Sequence, residues 1–254
     1  MPGSPILRQL GTRDAASARH SLTAFAVIQV EADPRPFPFQ GLDGARTAVM
    51  LIDMQRDFLD PDGYLAAAGY DLRSVRAAIP PARRLLDAAR DHDLPVIHTR
   101  QGYWPDLREL PPHRLERIRS GDDVVGKRGP LGRFLIRGEP GFQTISELVP
   151  RAGELVVDKS GTGAFHGTDL ASILAARDIR GLIVAGVTTD VCVHTTIREA
   201  TDRGFECLVV ADACSSGDPE LHRAAIEMVK VEDGTFGVVA DVDAVATAFA
   251  RLQR

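Results

Sequence analysis

The sequence predicts an α/β protein built on a doubly wound, Rossmann-like parallel sheet of six strands flanked by helices. Two observations carry this prediction. Short apolar runs typical of buried parallel strands recur along the chain, and segments of helical period separate them. Regular alternation of strand and helix is typical of parallel sheets with helices on both faces. In such sheets a ligand binds beyond the carboxyl ends of the strands, where the strand order reverses.

Each predicted strand is a short apolar run bounded by polar residues or glycine. The six strands are predicted at 47–53, 95–98, 154–158, 181–187, 206–210 and 237–240. Helices are predicted at 74–92, 169–177, 190–203, 219–230 and 242–252. The stretch 100–145, with many proline, glycine and arginine residues, is predicted to be irregular. If the strands run in the order 3-2-1-4-5-6, the first and fourth strands are neighbours at the switch point.

The chain divides into two regions of different composition. Residues 1–45 are rich in proline, glycine, serine, arginine and alanine, and we expect an N-terminal arm, partly extended or flexible. Residues 46–254 are predicted to form a single α/β domain.

Charge and cysteine content narrow the classes of partner. The net charge is −5, and 30 basic residues are interleaved with 35 acidic ones, which argues against nucleic acid as the main partner. The three cysteines, without a secretory signal, predict free thiols in a cytoplasmic protein. Because no apolar run approaches the ~20 residues of a membrane span, no membrane partner is expected.

Three residues able to carry chemistry follow predicted strands. Asp53 ends the first strand, Lys159 follows the third, and Cys192 lies after the fourth, at the start of a helix. A thiolate is nucleophilic, and a helix N-terminus and an ammonium group stabilise it. A carboxylate can accept the thiol proton and return it to a leaving amine. Singly, such residues are often inert core or capping residues; together at one sheet edge, they predict a nucleophilic site.

The motifs around these residues resemble the isochorismatase-like cysteine hydrolases. The matching pieces are Asp53-Met54-Gln55 with Asp57-Phe58, Lys159 with Phe165, and Gly186-Val187-Thr188-Thr189-Asp190-Val191-Cys192-Val193. The resemblance implies a catalytic triad of Asp53, Lys159 and Cys192. It also implies a cis peptide between Val187 and Thr188, with an oxyanion hole made by the N–H groups of Thr188 and Cys192. It further implies a homotetramer and a reaction that needs no cofactor.

Within this family the likeness extends to the biuret and triuret hydrolases, through the segments 137–141, 198–204 and 224–230. It implies hydrolysis of a terminal amide C–N bond in a small linear ureide of the biuret, triuret or guanylurea type. Ammonia would be released through an acyl-enzyme. The candidate substrate contacts are Phe58, Arg100, Phe165, Val187 and Glu232.

Glu232 departs from the pattern expected of a biuret hydrolase, which has glutamine at this position. An amide can donate and accept hydrogen bonds, whereas an ionised carboxylate only accepts them. A buried Glu232 would suit a ligand rich in N–H groups, or a cationic one, which favours triuret or guanylurea over biuret. The alternative is a solvent-exposed Glu232 in a loop, and the sequence leaves both open.

Other functions remain open at this point. One is a related amidohydrolase for ureidoacrylate or nicotinamide-like substrates, although Gln55 stands where metal-binding nicotinamidases carry histidine. A second is a nucleotide-binding oxidoreductase, suggested by the glycine-rich stretch 161–167. Its third glycine falls one place late for a dinucleotide loop, so we predict a turn beside Lys159. A third is a catalytically inactive scaffold. No histidines have metal-ligand spacing, so no metal site is predicted.

Overall fold

A computed structural model describes residues 27–252, and its centre is a six-stranded parallel sheet. A two-stranded antiparallel hairpin lies outside the sheet. The strands are β1 (Thr47–Ile52), β2 (Val96–Gln101), β3 (Arg128–Gly129), β4 (Gly132–Arg133), β5 (Leu155–Lys159), β6 (Gly181–Val187), β7 (Glu206–Ser215) and β8 (Val238–Ala240). The sheet order is β5-β2-β1-β6-β7-β8. This is the predicted order of 3-2-1-4-5-6 for the six sheet strands, and β1 and β6 are neighbours at the switch point.

Helices flank the sheet in the predicted alternation. They are α1 (Arg56–Leu59), α2 (Tyr64–Ala67), α3 (Leu72–Arg76), α4 (Ile79–Asp91), α5 (Pro112–Ser120), α6 (Leu170–Ala176), α7 (His194–Thr201), α8 (Pro219–Val229), α9 (Val231–Gly234) and α10 (Val242–Phe249). A π-helical turn, Thr189–Val193, precedes α7. No helix within residues 27–252 is both long enough and apolar enough to cross a membrane.

Several element boundaries differ from the prediction for physical reasons. The single helix predicted at 74–92 is two helices, α3 and α4, because Pro80 and Pro81 lack the N–H groups that a continuing helix needs, and they stand in the first turn of α4. The stretch 100–145 is not wholly irregular, since it contains α5 and the β3–β4 hairpin. Strand β2 runs three residues beyond the predicted 95–98, to Gln101.

Side chains of β1 alternate between two cores, as expected of a strand buried on both faces. Val49 and Leu51 pack with α4 and α10 on one face of the sheet. Met50 and Ile52 pack with α6, α7 and α8 on the other. A third apolar cluster, which includes Tyr103 and Phe134, lies in the connection between β2 and β5. The two main cores hold the strands rigidly, so the side chains at the strand ends are fixed in space.

The described part of the predicted N-terminal arm lies against the edge of the sheet. Asp33 and Val239 of β8 exchange two backbone hydrogen bonds, of 2.9 and 2.8 Å. Between residues 27 and 45 the backbone forms isolated bridges, bends and turns, and no helix. Residues 1–26, the rest of the arm, lie outside the described residues, as do residues 253–254.

Candidate active site

The carboxyl ends of four neighbouring strands bring the predicted catalytic residues to one edge of the sheet. Asp53 directly follows β1, Lys159 ends β5, and Cys192 lies in the π-helical turn after β6. Between β1 and β5, β2 ends in Gln101, whose Cα pairs in register with that of Lys159. All four residues are buried. The site is therefore a closed, polar cluster within apolar surroundings.

Asp53 and Lys159 form an ion pair with both side chains fully buried. Lys159 Nζ lies 2.7 Å from Asp53 Oδ2, and each side chain has a relative exposure of 0%. Thr99 Oγ1 donates a 2.6 Å hydrogen bond to the other carboxylate oxygen, Asp53 Oδ1. A buried charge needs a partner and hydrogen bonds, and Asp53 has both. Its carboxylate is thus held in one orientation at the strand end.

The Lys159 ammonium also donates to the turn that follows it. Its Nζ lies 3.0 Å from the carbonyl oxygen of Gly161 and 2.8 Å from that of Thr162. The glycine-rich stretch 161–167 is therefore a turn beside Lys159, as the sequence predicted. Burial lowers the pKa of the ammonium, but Asp53 and Cys192 outweigh this effect and raise that pKa above its usual range. Lys159 is consequently charged at neutral pH.

The Cys192 thiol is held by a neutral amide. Its Sγ donates to Gln101 Oε1 at 3.2 Å. Gln55 fixes the backbone of Gln101, since Gln55 Oε1 accepts the Gln101 N–H at 2.7 Å and Gln55 Nε2 donates to the Gln101 carbonyl at 3.0 Å. The sulfur therefore has a defined position over the strand ends, with one amide of Gln101 directed at it.

Both charged residues, Asp53 and Lys159, affect the pKa of the Cys192 thiol. Burial raises the pKa of the Cys192 thiol, the negative charge of Asp53 raises it further, and the Lys159 ammonium lowers it by less. The thiol pKa therefore lies well above its usual range, and the resting residue carries its proton. Attack by this sulfur requires a base that removes the proton, and the Asp53 carboxylate faces it.

The turn that carries Cys192 presents backbone N–H groups at the same edge. Within this turn the Val193 N–H donates a hydrogen bond of 3.2 Å to the carbonyl of Thr188, five residues earlier, as in a π-helix. The N–H of Cys192 lies one residue earlier, in the first turn, where helix N–H groups lack a helical partner. The peptide between Val187 and Thr188 is cis, as the family resemblance implied.

Arg100, a candidate substrate contact, is directed elsewhere. It pairs with Asp158 at 2.7 Å and donates to Gln143 at 3.1 Å, and its guanidinium lies 4.6 Å from the centre of the Phe142 ring. The reason is strand alternation. Thr99 and Gln101 project towards the Asp53–Cys192 cluster, so the residue between them projects to the opposite face.

The three apolar candidates occupy different surroundings. Val187 is fully buried just before the Cys192 turn. Phe165 is 4% exposed and stacks on Phe205 with ring centres 5.8 Å apart, so its ring belongs to the core beside α7. Phe58 is half-buried and packs edge-on against Phe134 at 5.8 Å. Phe58 and Val187 thus remain candidates for lining a substrate pocket, whereas Phe165 is engaged in packing.

Glu232 is exposed, which answers the question that the sequence left open. Its backbone is left-handed, with φ of 51°, at the junction of α8 and α9. Its carboxylate lies 3.5 Å from Thr235 Oγ1 within the same turn. In this position it is a solvated carboxylate, and the structure does not join it to the Cys192 cluster.

Two residues of the cluster, Thr99 and Gln101, escaped the sequence analysis. Both are polar, and both lie at the carboxyl end of β2 with side chains on the same face. The signal was present as a period-two pattern of polar residues after His98. It was missed because the strand was expected to end at His98, before the first of these two residues.

A model of a known protein family matches most of this chain. The model of the isochorismatase domain matches residues 47–244, which is most of the chain. The chain belongs to the isochorismatase family. It is an amidohydrolase of the class that acts on C–N bonds other than peptide bonds, and a cysteine hydrolase.

Curated relatives and solved structures of the isochorismatase family agree over most of the chain. The ureidoacrylate amidohydrolase RutB of Methylobacterium radiotolerans is 32% identical over 248 residues, 96% of this chain and 92% of the relative. RutB of Azorhizobium caulinodans is 32% identical over 203 residues, 77% of this chain and 88% of the relative. A cysteine hydrolase from Pseudomonas syringae pv. phaseolicola superposes with a TM-score of 0.69 at 28% identity, covering 82% of this chain and 94% of that one. N-carbamoylsarcosine amidase from Thermoplasma acidophilum superposes with a TM-score of 0.59 at 25% identity, covering 78% and 97%.

Proposed function

We propose that this enzyme hydrolyses a terminal amide C–N bond of a small linear ureide of the biuret, triuret or guanylurea type, with Cys192 as nucleophile. The observation that carries the proposal is the buried Asp53–Lys159 ion pair that faces the protonated thiol of Cys192. The pair has no net charge, so it keeps a carboxylate base beside the thiol without an uncompensated buried charge.

The first half of the reaction forms a thioester. Sγ of Cys192 attacks the carbonyl carbon of the terminal amide while the Asp53 carboxylate accepts the thiol proton. The carbonyl oxygen becomes an oxyanion, and the N–H groups of Thr188 and Cys192 stabilise it. When the C–N bond breaks, the nitrogen takes the proton from Asp53 and leaves as ammonia. The acyl group stays on the sulfur.

The second half releases the acyl group. Asp53, again a carboxylate, removes a proton from a water molecule as its oxygen attacks the thioester carbonyl. The C–S bond then breaks, and the thiolate recovers a proton from Asp53. With biuret the products are allophanate and ammonia. Each step uses only proton transfers and acyl transfer among Cys192, Asp53, water and the substrate, so the proposal requires no cofactor.

Charge around the site supports a substrate without a carboxylate. The arginines that could orient a polar ligand are each engaged with a carboxylate: Arg100 with Asp158, Arg133 with Glu139, and Arg137 with Glu109. Gln101 offers a neutral amide that can both donate to and accept from a ureide. A ligand with several N–H and carbonyl groups and no carboxylate matches this lining.

Ureidoacrylate is the second candidate substrate, because the relatives at 32% identity are ureidoacrylate amidohydrolases. It is a ureide too, but it carries a carboxylate. Its binding would require one of the paired arginines, such as Arg137, to exchange its carboxylate partner for the substrate. That exchange has a cost in desolvation and lost pairing, which a neutral ureide avoids.

The homotetramer and the cytoplasmic location remain predictions from sequence.

A parallel assay of ammonia release tests this proposal. Biuret, triuret, guanylurea, ureidoacrylate and nicotinamide are compared at equal concentration, with Cys192→Ala as the blank. We expect the highest kcat/KM with biuret, triuret or guanylurea, the three linear ureides that carry no carboxylate. A higher value for ureidoacrylate would favour the second candidate, and the absence of activity on all five would contradict both.

A further inference from the structure

The position of the Lys159 ammonium depends on the turn that follows it. Residues 160–165, here called the ammonium loop, supply the carbonyl oxygens of Gly161 and Thr162, which accept hydrogen bonds from Lys159 Nζ at 3.0 and 2.8 Å. A lysine side chain has four rotatable carbon–carbon bonds, so its end is fixed only by the groups around it. A shift of this loop would therefore move the ammonium away from Asp53.

Helix α7, which continues the Cys192 turn, anchors the ammonium loop. The hydroxyl of Thr196, fully buried, donates to the Cys192 carbonyl at 2.7 Å and accepts the N–H of Ala164 at 3.2 Å. Three residues further along α7, Glu199 Oε2 accepts the N–H of Phe165 at 3.0 Å. The Thr196 hydroxyl, as both donor and acceptor, thus connects the backbone of Cys192 with the loop that holds the ammonium.

Close packing between the loop and α7 is visible at Gly163. A β-carbon added there would overlap the Glu199 carboxylate. Gly163 has no positive φ, so a side chain there would disturb the contact with the Glu199 carboxylate rather than strain the backbone. The carboxylate therefore lies directly against the loop.

We propose that Thr196 and Glu199 are positioning residues: from the helix that follows Cys192, they hold the ammonium loop so that Lys159 stays in contact with Asp53 and faces the thiol. The proposal rests on the proposed function, in which these three residues act together. A helical threonine commonly bonds only to carbonyls three or four residues back in its own helix. Thr201 does so, to the carbonyls of Ile197 and Arg198 at 3.1 Å each. Thr196 makes that bond and also binds the loop.

Substitutions on α7 separate positioning from helix stability. Thr196→Val removes the hydroxyl while keeping a β-branched side chain of similar shape, Thr196→Ser restores the hydroxyl, and Thr201→Val is the matched control on the same helix. Gly163→Ala disturbs the same contact from the loop side. The readouts are kcat and KM for the ureide, and the rate constant for alkylation of Cys192 by iodoacetamide, which needs no substrate.

We expect Thr196→Val and Gly163→Ala to lower kcat by about tenfold or more while KM changes by less than about twofold, because a displaced catalytic group affects the transition state more than binding. Alkylation of Cys192 should slow in the same variants, because the Lys159 ammonium lowers the pKa of the thiol. Thr196→Ser and Thr201→Val should behave as the wild type does.

The outcomes distinguish the two claims. Wild-type kcat and alkylation in Thr196→Val and Gly163→Ala would overturn the positioning role, and so would an equal loss in Thr201→Val. If Thr196→Val does not fold, Gly163→Ala decides alone. A wild-type enzyme inactive on ureides whose Cys192 alkylation still slows in Thr196→Val would remove the proposed function and leave the positioning role in place. Turnover that depends on Cys192 but is unaffected by either variant would leave the proposed function in place and remove the positioning role.

Discussion

Thr99 and Asp53, on neighbouring strands, hydrogen-bond to each other in both directions. The Thr99 hydroxyl donates to Asp53 Oδ1 at 2.6 Å and accepts the Asp53 backbone N–H at 3.2 Å. Asp53 has a left-handed backbone, with φ of 48°, which is uncommon for a residue other than glycine. One hydroxyl therefore fixes both the backbone and the carboxylate of the residue that we propose as the catalytic base.

Removal of this hydroxyl should weaken catalysis more than folding. In Thr99→Val, Asp53 keeps Lys159 but loses the group that orients it, so we expect kcat to fall by about tenfold to a hundredfold. Stability should fall by about 1–3 kcal/mol, the cost of leaving a buried acceptor unsatisfied. Thr99→Ser should retain most of the activity. Steady-state kinetics and urea denaturation check both numbers, with Thr47→Val, a buried threonine at the other end of β1, as control. Equal kinetics in Thr99→Val and Thr47→Val would contradict this role.

The buried ion pair predicts an unusual pattern of stability. Lys159→Met leaves Asp53 charged and unpaired in the core, so unfolding free energy should drop by about 3–5 kcal/mol. The double variant Asp53→Asn with Lys159→Met removes both charges and should recover a large part of that loss, while turnover stays absent. Urea denaturation of the two single variants and the double variant makes the comparison. A double variant no more stable than Lys159→Met would show that the two side chains do not form the coupled pair described above.

Gln101 should affect the thiol directly. Gln101→Leu removes the acceptor that holds the Cys192 proton and the amide that faces the substrate, so we expect kcat/KM to fall by about a hundredfold. Gln143→Leu provides the matched control, since Gln143 is exposed and contacts Arg100 instead. Initial rates on the preferred ureide are sufficient for this test. Similar rates for both variants would mean that Gln101 neither holds the thiol nor binds the substrate.

Glu154 should make the fold sensitive to acid. Burial raises the pKa of this carboxyl, but Arg90, the Arg151 N–H and His98 lower it by more, to about 2. Because the folded pKa lies below the unfolded value, the stabilisation is present above pH 4.5 and is lost as the pH falls towards 2. The difference in unfolding free energy between the wild type and Glu154→Gln should therefore narrow steadily as the pH is lowered from about 6 towards 2. A constant difference across that range would contradict the assignment.

The sequence predicted those parts of the fold that follow from local patterns. The apolar runs of β1 and β6 identify buried strands, and the polar residues at their carboxyl ends, Asp53 and Cys192, fall at one edge once the strand order is known. Lys159 follows by the same reasoning from β5. These positions could be predicted because a parallel sheet brings equivalent ends of its strands together.

The features of the site that the sequence did not predict depend on contacts between residues distant in sequence. Thr99 and Gln101 look like loop residues because they are polar, and only their partners Asp53 and Gln55 explain why they are buried in a strand. Arg100 looked available for a substrate until Asp158 was seen to pair with it. The partner of a buried polar group is set by tertiary structure, which no local pattern records.

The central claim is that Cys192 performs the chemistry, and one comparison tests it most directly. Cys192→Ala and Cys214→Ala each remove a buried free thiol, but only Cys192 faces Asp53 and Lys159. Ammonia release from the preferred ureide is measured for both variants beside the wild type. The account predicts no turnover in Cys192→Ala and nearly wild-type turnover in Cys214→Ala. Substantial turnover in Cys192→Ala would contradict it.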